Sequence, residues 1–379
     1  MTRPVRSGQG ERLASVVLGQ SLTVRSGETV TIETWDHALP WARQFVLEAR
    51  RRGCEPTLVV EDEETFFRSL GQTRSRSVPR APAALAAASD AYVYLPGPEQ
   101  FPRLLGLAED DLETVVGRHG RAWWRAARRS RLRAARIVVA GATATAALRF
   151  GVDRESWERE LLRASLVPPS RLARTAGDLA GRLHRARKVR IVHANGSELQ
   201  VELLRTPPVI DDGRVDRGDQ RAGRLWTQVP SGVVAVPLAT GFAEGTWESN
   251  RESYERYSEP SVAKGARFEF HRGRLTEYSF DRGGSAFSRA FARSGRGREL
   301  PGALTFGVNP AISHAPEAGE IAAGTVGLLL GGNRSLGGEN PSRFTYLTTI
   351  ADASVELDGV PLLENGQLVG ASRSRPNPR

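Results

Sequence analysis

PGALTFGVNPAISHAPEAGEIAAGTVGLLLGGNRSLGGENP, residues 301–341, decides how this chain is read. Two apolar runs, Ala303–Gly307 and Gly324–Leu330, have the length of buried strands, and each ends in a Gly/Asn-rich turn. Between them a loop over Ala311–Ile321 carries the only concentrated polar chemistry of the stretch: His314, Glu317 and Glu320. Strand ends and glycine turns gathered like this build pockets from their loops.

Outward from this stretch the texture stays β-rich. KVRIVHANGSELQVELL, from Lys188, reads as a hairpin turning at Asn195-Gly196, a strong short-range hairpin signal. ARFEFHRGRLTEYSF, Ala266–Phe280, turns at Arg272-Gly273, and Ser285–Ser294 reads as a short amphipathic helix. A strand over Phe344–Ile350 precedes SVELDGVPLLENGQLV, with turns at Asp358-Gly359 and Asn365-Gly366. His193 and His271 sit on these strands and take no assigned role. Residues 188–379 are therefore expected to form a β-rich α+β domain, with the tail SRSRPNPR unstructured.

Residues 1–187 alternate instead. Helix is expected over Glu11–Leu22, Ala38–Arg52, Glu61–Leu70, Ala81–Ser89, Arg154–Leu166 and Ser170–Arg187, the last with Ser170 as N-cap. Strands are expected over Thr29–Thr34, Pro56–Val60, Ala91–Leu95 and Arg136–Ala140. Alternation of this kind implies parallel strands joined by helical crossovers, a doubly wound α/β domain. The turn after the first strand, TWDHALPW, has neither Gly-x-Gly-x-x-Gly nor a Walker lysine, which excludes the usual nucleotide fingerprints. Asp36 and His37 stand at that strand's C-terminal end, where such sheets bind ligands; the simpler reading makes Asp36 a helix cap.

Arginine supplies nearly all the positive charge: 53 Lys and Arg against 43 Asp and Glu give +10, and Lys188 and Lys264 are the only lysines. That skew matches a GC-rich genome. The densest run, Arg118–Arg136, could place a phosphate-tracking face beside Trp124, but charge runs are usually solvated, so nucleic-acid binding is not the expectation. Cys54 is the single cysteine, which excludes an intramolecular disulfide and a Cys-based zinc cluster. No apolar run approaches the about 18 residues that span a membrane, and no signal-peptide h-region is visible, so a cytoplasmic protein is expected.

Several blocks resemble the aminopeptidase T family of dinuclear metalloaminopeptidases, in the family's order. They are LASVVLGQSLTVRSGETVTIETW, SDAYVYLPGPE, ARKVRIVHANGSELQVEL, VPSGVVAVP, GVNP, AGTVGLLLGGN and DGVPLLENGQLV. The resemblance implies an aminopeptidase-T-like fold and a homodimer. It also implies a second-domain cleft in which two divalent ions generate the hydroxide that attacks a peptide's first carbonyl. The family's six metal ligands fall here at Val233, Ala303, Gly327, Arg334, Thr345 and Leu347, none of them a carboxylate or imidazole. The same fold hosts iron-dependent dioxygenases of dihydroxypyridines with a late His-x-Asp pair, which Thr345-Tyr346-Leu347 does not supply.

The resemblance and the residues together imply no metal cofactor in the cleft. The expected function is that of a pseudoenzyme, or an enzyme of metal-free chemistry, acting on a small peptide-like or acidic ligand. Arg334 would grip an anion bidentately, with Asn309, His314 and Asn333 lining the cleft and Glu339 at its rim. The alternatives are an active metalloaminopeptidase with relocated ligands, His314, Glu317 and Glu320 being candidates, or a basic nucleic-acid-binding protein. Sedimentation is expected to report a dimer; a monomer at high concentration would remove the family's interface from the reading.

Overall fold

The chain folds into two compact units, and the computed structural model describes residues 7–69, 80–100, 103, 119–254, 262–313 and 315–370. Residues 1–172 with 211–231 form one unit, and 173–210 with 232–379 the other. A single cut at 187 does not describe this. After leaving the first unit, the chain returns to it to lay down one more strand.

The first unit holds a parallel sheet of β1 (Thr29–Trp35), β2 (Glu55–Glu61), β3 (Ala91–Tyr94) and β4 (Arg133–Ile137). Three strands of the other sheet come next in the chain: β5 (Lys188–Val192), β6 (Glu198–Leu203) and β7 (Val209–Asp211). Then β8 (Trp226–Val229) pairs parallel with β4 and completes the order β2-β1-β3-β4-β8. The doubly wound expectation holds. The chain passes from β1 outward to β2 and back to β3, which makes the C-terminal ends of β1 and β3 the sheet's switch point.

Several sequence boundaries move for physical reasons. The helix expected from Glu61 starts at Glu63, because Glu61 is still paired in β2 and Asp62 Oδ1 accepts the Thr65 N–H as a cap. The strand expected over Arg136–Ala140 lies at Arg133–Ile137: pairing ends with Tyr94 and Val229, and the apolar Val138–Gly141 turns as a buried 3₁₀ segment. Ser170 is not an N-cap. Its helix begins at Pro169, whose fixed φ suits the first helical position.

The arginine run forms the helix His119–Ser130, with Arg118 outside the described residues. Trp123 and Ala127 are buried with Tyr92, Leu132 and Leu225, while Arg121, Arg125, Arg128 and Arg129 are exposed. An amphipathic helix packed by its aromatic face explains the spacing.

The second unit is an antiparallel sheet bent around β9 (Val233–Glu248). The first half of β9 pairs β14 (Pro301–Gly307), and its second half pairs β6 and β12 (Arg267–His271). In that second half Gly245 has φ +110°, and a Cβ there would lie 2.0 Å from the Glu198 carbonyl oxygen, so only glycine lets β6 approach. Short β10 (Ser253–Tyr254) and β11 (Val262–Ala263) form a pair apart, and β13 (Arg274–Ser279) hairpins with β12. Beyond β14 come β15 (Val326–Gly331) and β16 (Thr345–Ile350), as the two apolar runs and the late strand led one to expect. The turns at Arg272-Gly273, Asp358-Gly359 and Asn365-Gly366 have both residues at positive φ, the type I′ geometry their sequences call for.

Asp211, where the chain re-enters the first unit, accepts hydrogen bonds from Thr227 Oγ1 (2.6 Å) and Gly213 N–H (3.2 Å). Burial nonetheless dominates and pushes its carboxyl up to about 6 from an ordinary 3.8. The folded state then holds a proton that the unfolded state releases. The stability from Asp211 is therefore full below about pH 4 and is lost as pH rises through about 6. Urea unfolding from pH 4 to 7 should show wild type losing stability relative to Asp211→Asn; a constant difference would contradict this.

Candidate functional site

In antiparallel ladders, directly opposed residues share a face. The register pairs Gly307 with Val233, Thr305 with Ala235 and Gly327, Ala303 with Pro237 and Leu329, Leu347 with Leu329, and Thr345 with Gly331. Five of the six positions marked by the family resemblance, Val233, Ala303, Gly327, Thr345 and Leu347, therefore lie on one face of β9-β14-β15-β16. The other face, with Leu304, Phe306, Val326, Leu328, Leu330, Val234 and Val236, is core.

The shared face is half-open and apolar. Ala303, Ala235 and Thr305 are buried, Val233, Leu329 and Leu347 are partly exposed, and Thr345 is exposed. A Cβ built on Gly327 would lie 2.2 Å from Thr305 Oγ1 and 3.0 Å from Leu347 Cδ1. The space above Gly327 is already occupied, so an imidazole cannot be seated there while those two side chains stand. The Thr305 hydroxyl is buried with no hydrogen-bond partner among the described residues. The donors on this face are the hydroxyls of buried Thr305 and Thr349 and of exposed Thr345, a set that does not fit two divalent ions.

Two of the residues expected to line a pocket, Asn309 and Asn333, hydrogen-bond to the backbone. Asn333 is buried; its Nδ2 donates to the Gly302 carbonyl (2.8 Å) and its Oδ1 accepts from Asn340 N–H (2.9 Å), so it pins the turn rather than offering an amide to a ligand. Asn309 is fully buried and accepts from Ala311 N–H (3.0 Å). Arg334 and Glu339 are exposed, Arg334 in a 3₁₀ turn beyond Gly331. His314 lies outside the described residues, and Glu317 and Glu320 are half-buried in their loop. Asn340, which sequence reasoning passed over, is a further pin: Nδ2 donates to the carbonyls of Gly297 (2.7 Å) and Gly331 (2.8 Å).

In the first unit the structure gathers a different group. Asp36 follows β1 and does not cap the helix Leu39–Arg51, whose start has no side-chain cap; its Oδ1 accepts the adjacent His37 N–H (2.9 Å). The cap reading is thus corrected. Ligand atoms of Asp36, His37 and Glu63 all lie within 4.8 Å of one another, and they are exposed, half-buried and buried in turn. Glu63 accepts N–H groups of Glu99 (2.6 Å) and Gln100 (3.2 Å), yet burial wins and holds its carboxyl above the usual range.

The contacts of Trp35 make that meeting possible. Its ring lies edge-on to Phe66 with centroids 5.0 Å apart, and a Cβ on Gly97 would fall 2.3 Å from its Cγ. Trp35 therefore holds the Glu63 helix and the loop after β3 against the end of β1. Glu63 carried no signal in the sequence beyond its place after a strand.

Two solved structures share this fold across nearly the whole chain. Wild-type AmpT from Thermus thermophilus matches at a TM-score of 0.72 with 17% identity, over 96% of this chain and 100% of that one. The fold is that of aminopeptidase T. The 2,5-dihydroxypyridine dioxygenase from Pseudomonas putida KT2440 matches at 0.61 with 14% identity, over 98% of this chain and all of that one. No family model and no curated protein matches the sequence. Identities this low carry the fold and leave the chemistry to the residues.

The crowding over Gly327 is testable. Gly327→Ala should cost about 1–3 kcal/mol by overpacking, and Thr305→Ala in the same chain should recover part of it. Thermal melts of the single and double variants measure both; an unchanged melting point for Gly327→Ala would mean that the neighbours yield freely.

Proposed function

We propose that this aminopeptidase-T-like protein has given up dinuclear metal catalysis and acts as a pseudoenzyme, or a metal-independent enzyme, on a small peptide-like ligand. The observation that carries the reading is the shared face of Val233, Ala303, Gly327, Thr345 and Leu347, which holds no anionic or imidazole donor. An apolar ligand group would rest on Val233, Leu329 and Leu347, which are partly exposed at present. The buried Thr305 hydroxyl, without a partner among the described residues, would gain one from the ligand backbone. Arg334 stands exposed one turn past Gly331 and would meet a terminal carboxylate, the acidic part of such a ligand. The dimer and the cytoplasmic location belong to this same proposal.

Hydrolysis of leucyl peptides, assayed with zinc, cobalt or manganese added, should stay at the uncatalysed rate at every metal concentration. Turnover that a chelator abolishes would overturn the reading in favour of relocated ligands. Arg334→Ala should weaken a peptide that binds through its carboxylate by about 1.5–3 kcal/mol, with Arg334→Lys intermediate; equal binding by all three would remove Arg334 from the site.

A further inference from the structure

We propose that Asp36, His37 and Glu63 form a binding site for a first-row divalent cation, zinc foremost, at the carboxyl edge of the parallel sheet in the first unit. The site is independent of the cleft in the second unit, and either reading can fail without the other.

The three side chains come from two successive strand ends: Asp36 and His37 follow β1, and Glu63 follows β2. Their ligand atoms lie within 4.8 Å of one another. Donors about 2.0–2.2 Å from a common ion stand roughly 3–4 Å apart, so small side-chain rotations close the set around a cation. Two carboxylates and a neutral imidazole neutralise a 2+ charge. The nitrogen donor favours zinc over magnesium and calcium, which prefer oxygen alone.

Each donor is already turned by a second partner, as metal ligands characteristically are. His37 Nε2 lies 3.3 Å from the Ala140 carbonyl; a carbonyl only accepts, so Nε2 carries the proton and Nδ1 the lone pair. Glu63 Oε2 takes the two N–H groups from the loop after β3, and Asp36 Oδ1 takes that of His37. One oxygen of each carboxylate is left for an ion. Three loops at the switch point thus support three donors, and three protein ligands leave a coordination position for water or a small ligand.

Charge supplies a separate argument. The chain carries 53 Lys and Arg, yet neither Asp36 nor Glu63 makes an ion pair with a described one. Arg103 pairs with Glu64, the neighbour of Glu63, instead. Two adjacent carboxylates, one of them buried, repel one another without a counter-ion. Among the described residues no guanidinium fills that need, and a bound cation would.

Zinc chloride alone, titrated calorimetrically into the full chain after EDTA stripping and desalting, should bind one ion per chain. Asp36→Asn and His37→Ala should each weaken binding by about tenfold or more, with magnesium failing to compete. Asp36 is exposed, so its variant does not lose binding through unfolding, which circular dichroism checks directly. Leu347→Ala, in the second unit, should leave the titration unchanged. No saturation below about 1 mM zinc, an affinity equivalent to only about 4 kcal/mol, would overturn the proposal. So would a stoichiometric site that Asp36→Asn and His37→Ala leave intact.

Discussion

Thr305, Gly327 and Leu347 meet over three neighbouring strands, and the chemistry of the second unit depends on that contact. A residue with a side chain at 327 would force Thr305 or Leu347 aside, because its Cβ would already stand 2.2 Å from Thr305 Oγ1. The contact lies between two register rungs, Thr305 opposite Gly327 and Leu347 opposite Leu329. It therefore closes the face on which the family resemblance puts metal ligands, and it does so with a methyl group and a hydroxyl. Replacing one residue at a time would not reopen the face. Donors, space and charge would have to change together, which makes the apolar floor a coherent state of the sheet.

The first unit is organised differently, by a single aromatic ring. Trp35 lies against Gly97 and edge-on to Phe66, so the ends of β1 and β3 and the helix after β2 are held in one place. A larger residue at 97 would push the loop after β3 away and take with it the N–H groups that hold Glu63. The polar cluster is thus a consequence of apolar packing one residue before Asp36.

Much of the fold was legible in the sequence because its signals are local. Asn195-Gly196, Arg272-Gly273 and Asp358-Gly359 announce hairpins by chemistry that needs no tertiary partner. The apolar runs at 303–307 and 324–330 predicted β14 and β15 nearly in place. What failed was set by partners. β4 ends where Tyr94 and Val229 stop pairing, although Val138–Ala140 reads as more strand. β8 lies about forty residues past the visible change of texture and could be assigned to the first sheet only through pairing. Asn in a glycine turn is also what a pocket needs, but the two buried hydrogen bonds of Asn333 make it a pin. Asp36 and His37 were visible at a strand end, but Glu63, twenty-six residues on, joins them only through the Trp35 brace.

Arginine was the least informative signal in the sequence, and the structure explains why. On His119–Ser130 the buried residues are Ala122, Trp123 and Ala127, and the arginines take the exposed positions that remain. Several described ion pairs elsewhere join exposed partners, such as Arg190 with Glu198 and Arg267 with Glu269, where screening leaves little net energy. A cation in such a chain therefore marks little. A carboxylate without one among the described residues marks more, since a neighbouring guanidinium is what this composition supplies by default. By that reasoning the discriminating charges of this protein are negative ones, and Asp36 and Glu63 are where they converge with an imidazole.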